Sequence, residues 1–155
     1  RERMGDWEMD CIESGRSGKG GLLCLVDRRT RYTLLRRLPS LTQKSVHHAL
    51  RRLVAECAFP ALKSITTDNG KEFLDQRRME EILGVPIYYT HAYASYEKGT
   101  VEQNNGIIRF WWKKGTDFSR VRDREVADVQ HLANAISRTV TLKGLTAYEA
   151  ISALS

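Results

Sequence analysis

The chain has 155 residues, 41% hydrophobic and 28% charged, the proportions of an ordinary globular domain with length enough for a substantial core. Its 25 Lys and Arg against 19 Asp and Glu give a net charge of +6, and the cations cluster at Arg28-Arg29-Arg31, Arg36-Arg37, Arg51-Arg52, Arg77-Arg78 and Lys113-Lys114, a pattern that suits a polyanion as well as a merely solvated surface. No apolar run approaches the roughly 20 residues that cross a bilayer, and the opening RERMGDWEMD lacks the apolar stretch of a signal peptide.

Three extended segments come first. WEMDCIES (7–14) leads into the glycine-rich turn GRSGKGG (15–21), then LLCLVD (22–27), the basic turn RRTR and YTLLRRL (32–38). Short β-compatible runs joined by tight turns predict an antiparallel meander. The glycine turn does not fit a phosphate-binding P-loop, because Lys19 is followed by Gly20 and the position five before Gly18 is Glu13.

From Thr42 the period changes. Val46, Ala49, Leu50, Leu53, Val54 and Cys57 recur at three and four residues, predicting an amphipathic helix of about four turns stopped by Pro60. LKSITTD (62–68) reads as a strand, GKEFLDQRRMEEILG (70–84) as a helix closed by Gly84, and VPIYY (85–89) as another strand. A polar loop, HAYASYEKG, follows, then helices over 100–114, 121–138 and 145–154. Strands followed by alternating helices and strands predict an α/β, ribonuclease-H-like fold: a mixed five-stranded sheet with helices on both faces. Residues 1–155 read as one domain. The chain does not begin with methionine, so a neighbouring domain is expected upstream.

Cys11, Cys24 and Cys57 are odd in number and widely spaced, which predicts a reduced intracellular protein with buried thiols. His47, His48, His91 and His131 form no zinc-ligand spacing.

Three acids sit where this order brings chain ends together: Asp10 within the first strand, Asp68 ending the fourth before Asn69-Gly70, and Glu102 near the start of the helix after the fifth. Three carboxylate oxygens suit two hard ions, Mg²⁺ or Mn²⁺, in two-metal phosphoryl transfer, with Asp10 placed to bridge both. Each acid also has a plain alternative. Asp10 could be a solvated residue on an edge strand, Asp68 a turn former, and Glu102 a complement to the helix dipole. TVEQ (100–103) fits a capping box with Thr100 as N-cap, which puts Glu102 at N2 and Asn105 and Arg109 along the same face; a helix that starts earlier, near Ser95, moves the cap but keeps this face.

WEMD, TTDNGKEF, YASYEKGTVEQNNGIIR and KKGTDF together resemble the catalytic core of bacterial DDE transposases of the insertion-sequence-thirty family, within the retroviral-integrase-like superfamily. Asp68 follows Asp10 by 58 residues and Glu102 follows Asp68 by 34, spacings in keeping with that resemblance. It implies metal-dependent cleavage at the ends of a mobile element and joining of the freed 3′-hydroxyl to target DNA. The metal triad would be Asp10, Asp68 and Glu102. Lys98, Asn105, Arg109, Lys113 and Lys114 would approach DNA, while Glu8, Asn69 and Gly70 would be accessory. The partners implied are element-end and target DNA and a second copy of the chain, in the cytoplasm of a bacterium. A nuclease that only hydrolyses and a non-catalytic DNA-binding module are the competing readings. In the family, the C-terminal helix carries an Asn-x-Arg-Pro-type motif. Here the stretch reads NAISRTVTLKGLTAYEAI.

Overall fold

The computed structural model describes residues 3–16, 18–91 and 95–155. Five strands, β1 (Asp6–Glu13), β2 (Gly21–Asp27), β3 (Thr33–Leu38), β4 (Ser64–Thr67) and β5 (Ile87–Tyr89), form one sheet in the order β3-β2-β1-β4-β5. The pairs β1–β2 and β2–β3 run antiparallel, and β1–β4 and β4–β5 run parallel. The mixed five-stranded sheet expected from the strand pattern is therefore present. Around it stand α1 (Gln43–Ala55), α2 (Gln76–Leu83), α3 (Gly99–Ile108), α4 (Asp123–Ala135) and α5 (Ala147–Leu154).

The helices occupy both faces, and β2 shows why. All seven of its residues are buried, so its side chains alternate between two cores. Leu23 and Leu25 join Trp7, Met9, Leu50 and Met79 beneath α1 and α2. Leu22, Cys24 and Val26 join Val101, Ile108, Phe118 and Val126 beneath α3 and α4. The same alternation on β1 sends Trp7 and Met9 to the first core and leaves Glu8 and Asp10 on the α3 side. The β1–β2 connection is a hairpin, and Gly20 takes φ +69 with Leu38 O 2.0 Å from where a Cβ would sit, so glycine is required there.

Several boundaries differ from the sequence reading. Helix α1 begins as expected, with the Thr42 hydroxyl accepting from Ser45 N. It ends at Ala55, well before Pro60, because Cys57 turns left-handed at φ 53. Cys57 is exposed rather than buried, while Cys24 is buried. Segment 70–84 divides into a 3₁₀ turn (Lys71–Phe73) and α2, whose N-cap is Asp75 and whose C-cap is Gly84 at φ 71. Helix α3 ends at Ile108, not 114, since Phe110 and Trp111 donate to Ile107 O and Ile108 O in tightened turns, and Trp112 packs edge-on against Phe118 at 5.6 Å. Its cap is not Thr100 but Lys98, which makes no capping bond. The Thr100 hydroxyl instead accepts from Arg31, so Glu102 lies deeper in the helix than N2. A true capping box does occur at Thr146 and Glu149, opening α5. Helix α4 is shorter than 121–138, with Arg122 and Ile136 in extended conformation.

Strand β3 is an outer strand, yet its free edge is closed by α4. Thr33 N donates to Asn134 Oδ1 (2.8 Å), Asn134 Nδ2 to Thr33 O (2.9 Å) and Leu35 N to Gln130 Oε1 (2.9 Å). Asn134 is fully buried, so Asn134→Ala strands two backbone groups away from water. A loss of about 2 kcal/mol is expected in urea unfolding. Among the described residues no helix is long and apolar enough to cross a membrane.

Candidate active site

The interval between the first two acids is the register of the sheet. Asp6, Trp7 and Glu8 of β1 stand opposite Ser64, Ile65 and Thr66 of β4, each partner lying 58 residues further along. Asp68 follows Asp10 by the same 58. Carrying the parallel register two residues past its last pair sets Asp68 beside Asp10, with both side chains on one face. Because β1 lies between β2 and β4, Asp10 is not on an edge strand. Asp68 is a turn former as well: its Oδ1 accepts from Gly70 N at 2.9 Å.

A single cation stands between these carboxylates. Lys98 Nζ lies 3.4 Å from Asp10 Oδ1 and 3.1 Å from Asp68 Oδ2. Lys98 is 5% exposed, so the ammonium is held largely away from water. Burial works against its charge, but Asp10 and Asp68 together hold its pKa above the ordinary lysine value. Burial likewise pushes the Asp10 carboxyl above its usual range, although Lys98 pulls the other way. Lys98, expected to face DNA, thus points into the site.

The first two turns of α3 complete this wall. Asn105 Nδ2 donates to Asp10 Oδ2 at 3.2 Å, and Cys11 N donates to Asp10 Oδ1 at 2.9 Å, so both oxygens of Asp10 are oriented. Glu102 is exposed. It lies four residues after Lys98 and three before Asn105, spacings that share a helix face, and both of those neighbours touch Asp10. Glu8, 2% exposed, pairs with Arg28 Nε at 3.0 Å and accepts from Val101 N at 3.3 Å. It ties α3 to β1. Arg28 extends the tie by donating to Glu97 O.

The remaining expected residues are scattered. Arg109 folds back on the carbonyls of Trp112 and Lys113, at 3.5 and 3.3 Å, while Lys113 and Lys114 are exposed. Asn69 Nδ2 reaches Thr90 O. Gly70 abuts Glu72, whose Oε1 would lie 2.9 Å from an added Cβ. The sequence reading passed over Glu72 and gave no sign that Lys98 would join the aspartates. Burial pushes the Cys11 and Cys24 thiols up, so neither is an available nucleophile.

The donor set suits a hard cation in part. Asp10 and Asp68 offer oxygens that already converge on one positive charge, with the Lys98 ammonium in the position of an ion. Among the described residues no three His, Cys, Asp or Glu side chains gather closely enough to hold a metal. Glu102 shares the helix face but not the cluster.

The Integrase core domain family model matches residues 1–95. The chain is 36% identical over 143 residues to the probable transposase for insertion-like sequence element IS1161 of Streptococcus salivarius, covering 90% of this chain and 40% of that protein. It is 30% identical over 151 residues to the transposase InsI for insertion sequence element IS30C of Escherichia coli, covering 97% and 39%. The chain thus spans about 40% of the length of the curated relatives it matches. Among solved structures, a chain in the simian T-cell lymphotropic virus intasome in complex with PP2A regulatory subunit B56 gamma superposes with a TM-score of 0.74 at 17% identity. The match covers 97% of this chain and 59% of that one, a likeness of fold.

Proposed function

The chain belongs to the Integrase core domain family, and on that premise we propose that it is a transposase catalytic core that cuts DNA at the ends of an insertion sequence and joins the freed 3′-hydroxyl to target DNA. The observation that carries this reading is the pair Asp10 and Asp68, set side by side by the β1–β4 register and turned toward one cation. Divalent ions, two of Mg²⁺ or Mn²⁺, held by Asp10, Asp68 and Glu102 would supply Lewis acidity and an activated oxygen nucleophile.

The chain's own residues supply orientation. Asn105 and the Cys11 amide fix the Asp10 oxygens, and the Gly70 amide fixes Asp68. Glu8, buried and paired with Arg28, holds the start of α3 against β1, so Glu102 rides on an anchored helix. Lys113 and Lys114, exposed beyond the end of α3, would meet phosphates in this reading. DNA is the partner in this reading, and two ends to be joined call for at least two copies of the chain.

The test supplies a pre-cut element end with a free 3′-hydroxyl, a target duplex, and Mg²⁺ or Mn²⁺. Joined product is expected. Hydrolysis with no joining at any metal concentration would transfer the site to a nuclease, and neither product would leave a DNA-binding module.

A further inference from the structure

A cationic cleft lies to one side of the aspartates. It occupies about 560 Å³ between the 28–31 turn and the loop that follows α4, with Arg28, Arg31 and Lys143 on its walls and Leu142, Leu145 and Leu154 among its apolar floor residues. That size is within the range of a ligand site. Arg28 and Arg31 also line a neighbouring cleft of about 640 Å³ that contains Glu8, Gly99, Thr100 and Gln103. Glu8 and Asp10 lie two residues apart on the same face of β1, about 7 Å. The cationic walls therefore begin beside the aspartate pair and lead away from it.

Two observations mark this cleft as more than surface charge. Only three described residues other than glycine have positive φ, and two of them are Arg31 (61°) and Lys143 (52°). Both are long cations at backbone positions that suit glycine or asparagine, a conformation that costs about 1–2 kcal/mol. Secondly, Arg31 is electrostatically close to Arg138, which is 8% exposed. The Nε atoms of both are buried without a hydrogen-bond partner. Burial, and then the Arg31 charge, lower the Arg138 pKa. The hydrogen bonds these two side chains do make go to the Thr100 hydroxyl, the Asn104 amide oxygen and the Ala133 carbonyl, none of them anionic. Glu8 already answers Arg28. Buried guanidinium nitrogens with no acceptor beside them leave a demand for an acceptor such as an anion.

We propose that this cleft is an anion site that takes one phosphodiester of a bound DNA strand, its phosphate against Arg31 and Lys143 and its sugar on the apolar floor. The naming of DNA rests on the function proposed above, whereas the anion site rests on the cleft itself. The strand bound here continues past the aspartates, so the cleft sets direction and register rather than chemistry.

The experiment measures binding of the 155-residue chain to a fluorescent duplex by anisotropy, between about 50 and 200 mM salt. Arg31→Asn and Lys143→Asn are each expected to lower the slope of log Kd against log salt by about one, the signature of one lost phosphate contact. Asparagine tolerates a left-handed backbone, so the melting temperature of each variant should hold or rise while binding weakens, which separates a lost contact from a damaged fold. Arg77→Gln, at a side chain 92% exposed, should leave the slope unchanged. Equal slopes for wild type and both cleft variants, or an equal drop for Arg77→Gln, overturn the site. Inorganic phosphate that raises the melting temperature of wild type but not of Lys143→Asn, with the DNA slope unchanged, assigns the cleft to free phosphate and overturns the DNA claim. Should joining still depend on Asp10 while the slopes do not move, only the cleft falls. If wild type binds no DNA, cleft and proposed function fall together.

Discussion

Asp10→Asn is expected to abolish metal-dependent cleavage and joining while leaving the chain at least as stable as before. The side chain keeps its shape and can still accept from Cys11 N and face Asn105, so the strand should not shift. What disappears is the negative oxygen in the inner corner of the site. A metal's stabilisation of developing charge amounts to several kcal/mol, and each 1.36 kcal/mol is tenfold in rate, so a loss of about a thousandfold or more is expected. Stability should move the other way or not at all, because burial already disfavours the Asp10 charge and the neutral amide removes that penalty. Rates of strand cleavage and a thermal melt of the same preparation check both halves. A variant that cuts at near the wild-type rate would remove Asp10 from the chemistry, and one that fails to fold would leave Asp68→Asn to carry the test. Asp68 is more exposed (42% against 21%) and tolerates the change more easily.

Lys98→Met should have the second largest effect, this time on the fold. Removing one partner of a buried charge group costs about 3–5 kcal/mol where the remaining charges stay buried. Asp68 is partly open to water, so the expected loss is nearer 3 kcal/mol, measured by denaturant unfolding in EDTA. Mn²⁺ should restore much of it, since a cation bound only by the folded chain stabilises by mass action and would replace the missing ammonium between Asp10 and Asp68. Wild type, with Lys98 in place, should respond to Mn²⁺ less. If the variant unfolds at the same denaturant concentration as wild type in EDTA, the ammonium is not what holds the two carboxylates together.

The fold was legible where side-chain periodicity was strong. β1, β2, β3 and α1 appear within a residue or two of their predicted starts because alternating or helical burial dominates those segments. It was less legible where a local polar group competes with the pattern. Asp75 interrupts the helix read over 70–84 by capping a new one, and Cys57 in a left-handed conformation ends α1 before proline can. At α3 the TVEQ signature was misleading: the preceding 3₁₀ turn carries the chain into the helix, and Thr100 is turned to Arg31. The same signature in TAYE, unremarked, is the working capping box of α5.

Part of the site was readable too, and for a definite reason. The 58-residue interval is a strand register, fixed by hydrogen bonds that any sequence of this topology must satisfy, so the pairing of Asp10 with Asp68 follows from spacing once β1 and β4 are known. Lys98 was not readable in this way. Its inward orientation depends on the φ and ψ of one junction residue between a 3₁₀ turn and a helix (−122° and 31°), which no pattern of residue types specifies. The position of Arg109 was hidden for a related reason. Helix α3 stops at Ile108, which leaves that guanidinium capping its own loop.

The parallel register has a consequence for how the molecule comes into being. Strand β1 leaves the ribosome before β4 and meets it only after 58 more residues, about 3–12 seconds of synthesis, and closing so long a loop costs roughly 3.6 kcal/mol of chain entropy. The antiparallel hairpins of β1, β2 and β3 can form in the interval from local contacts alone. The nascent polypeptide at that stage holds Asp10 without Asp68 beside it. The two carboxylates meet only when β4 docks, and α3 with Glu102 is made later still.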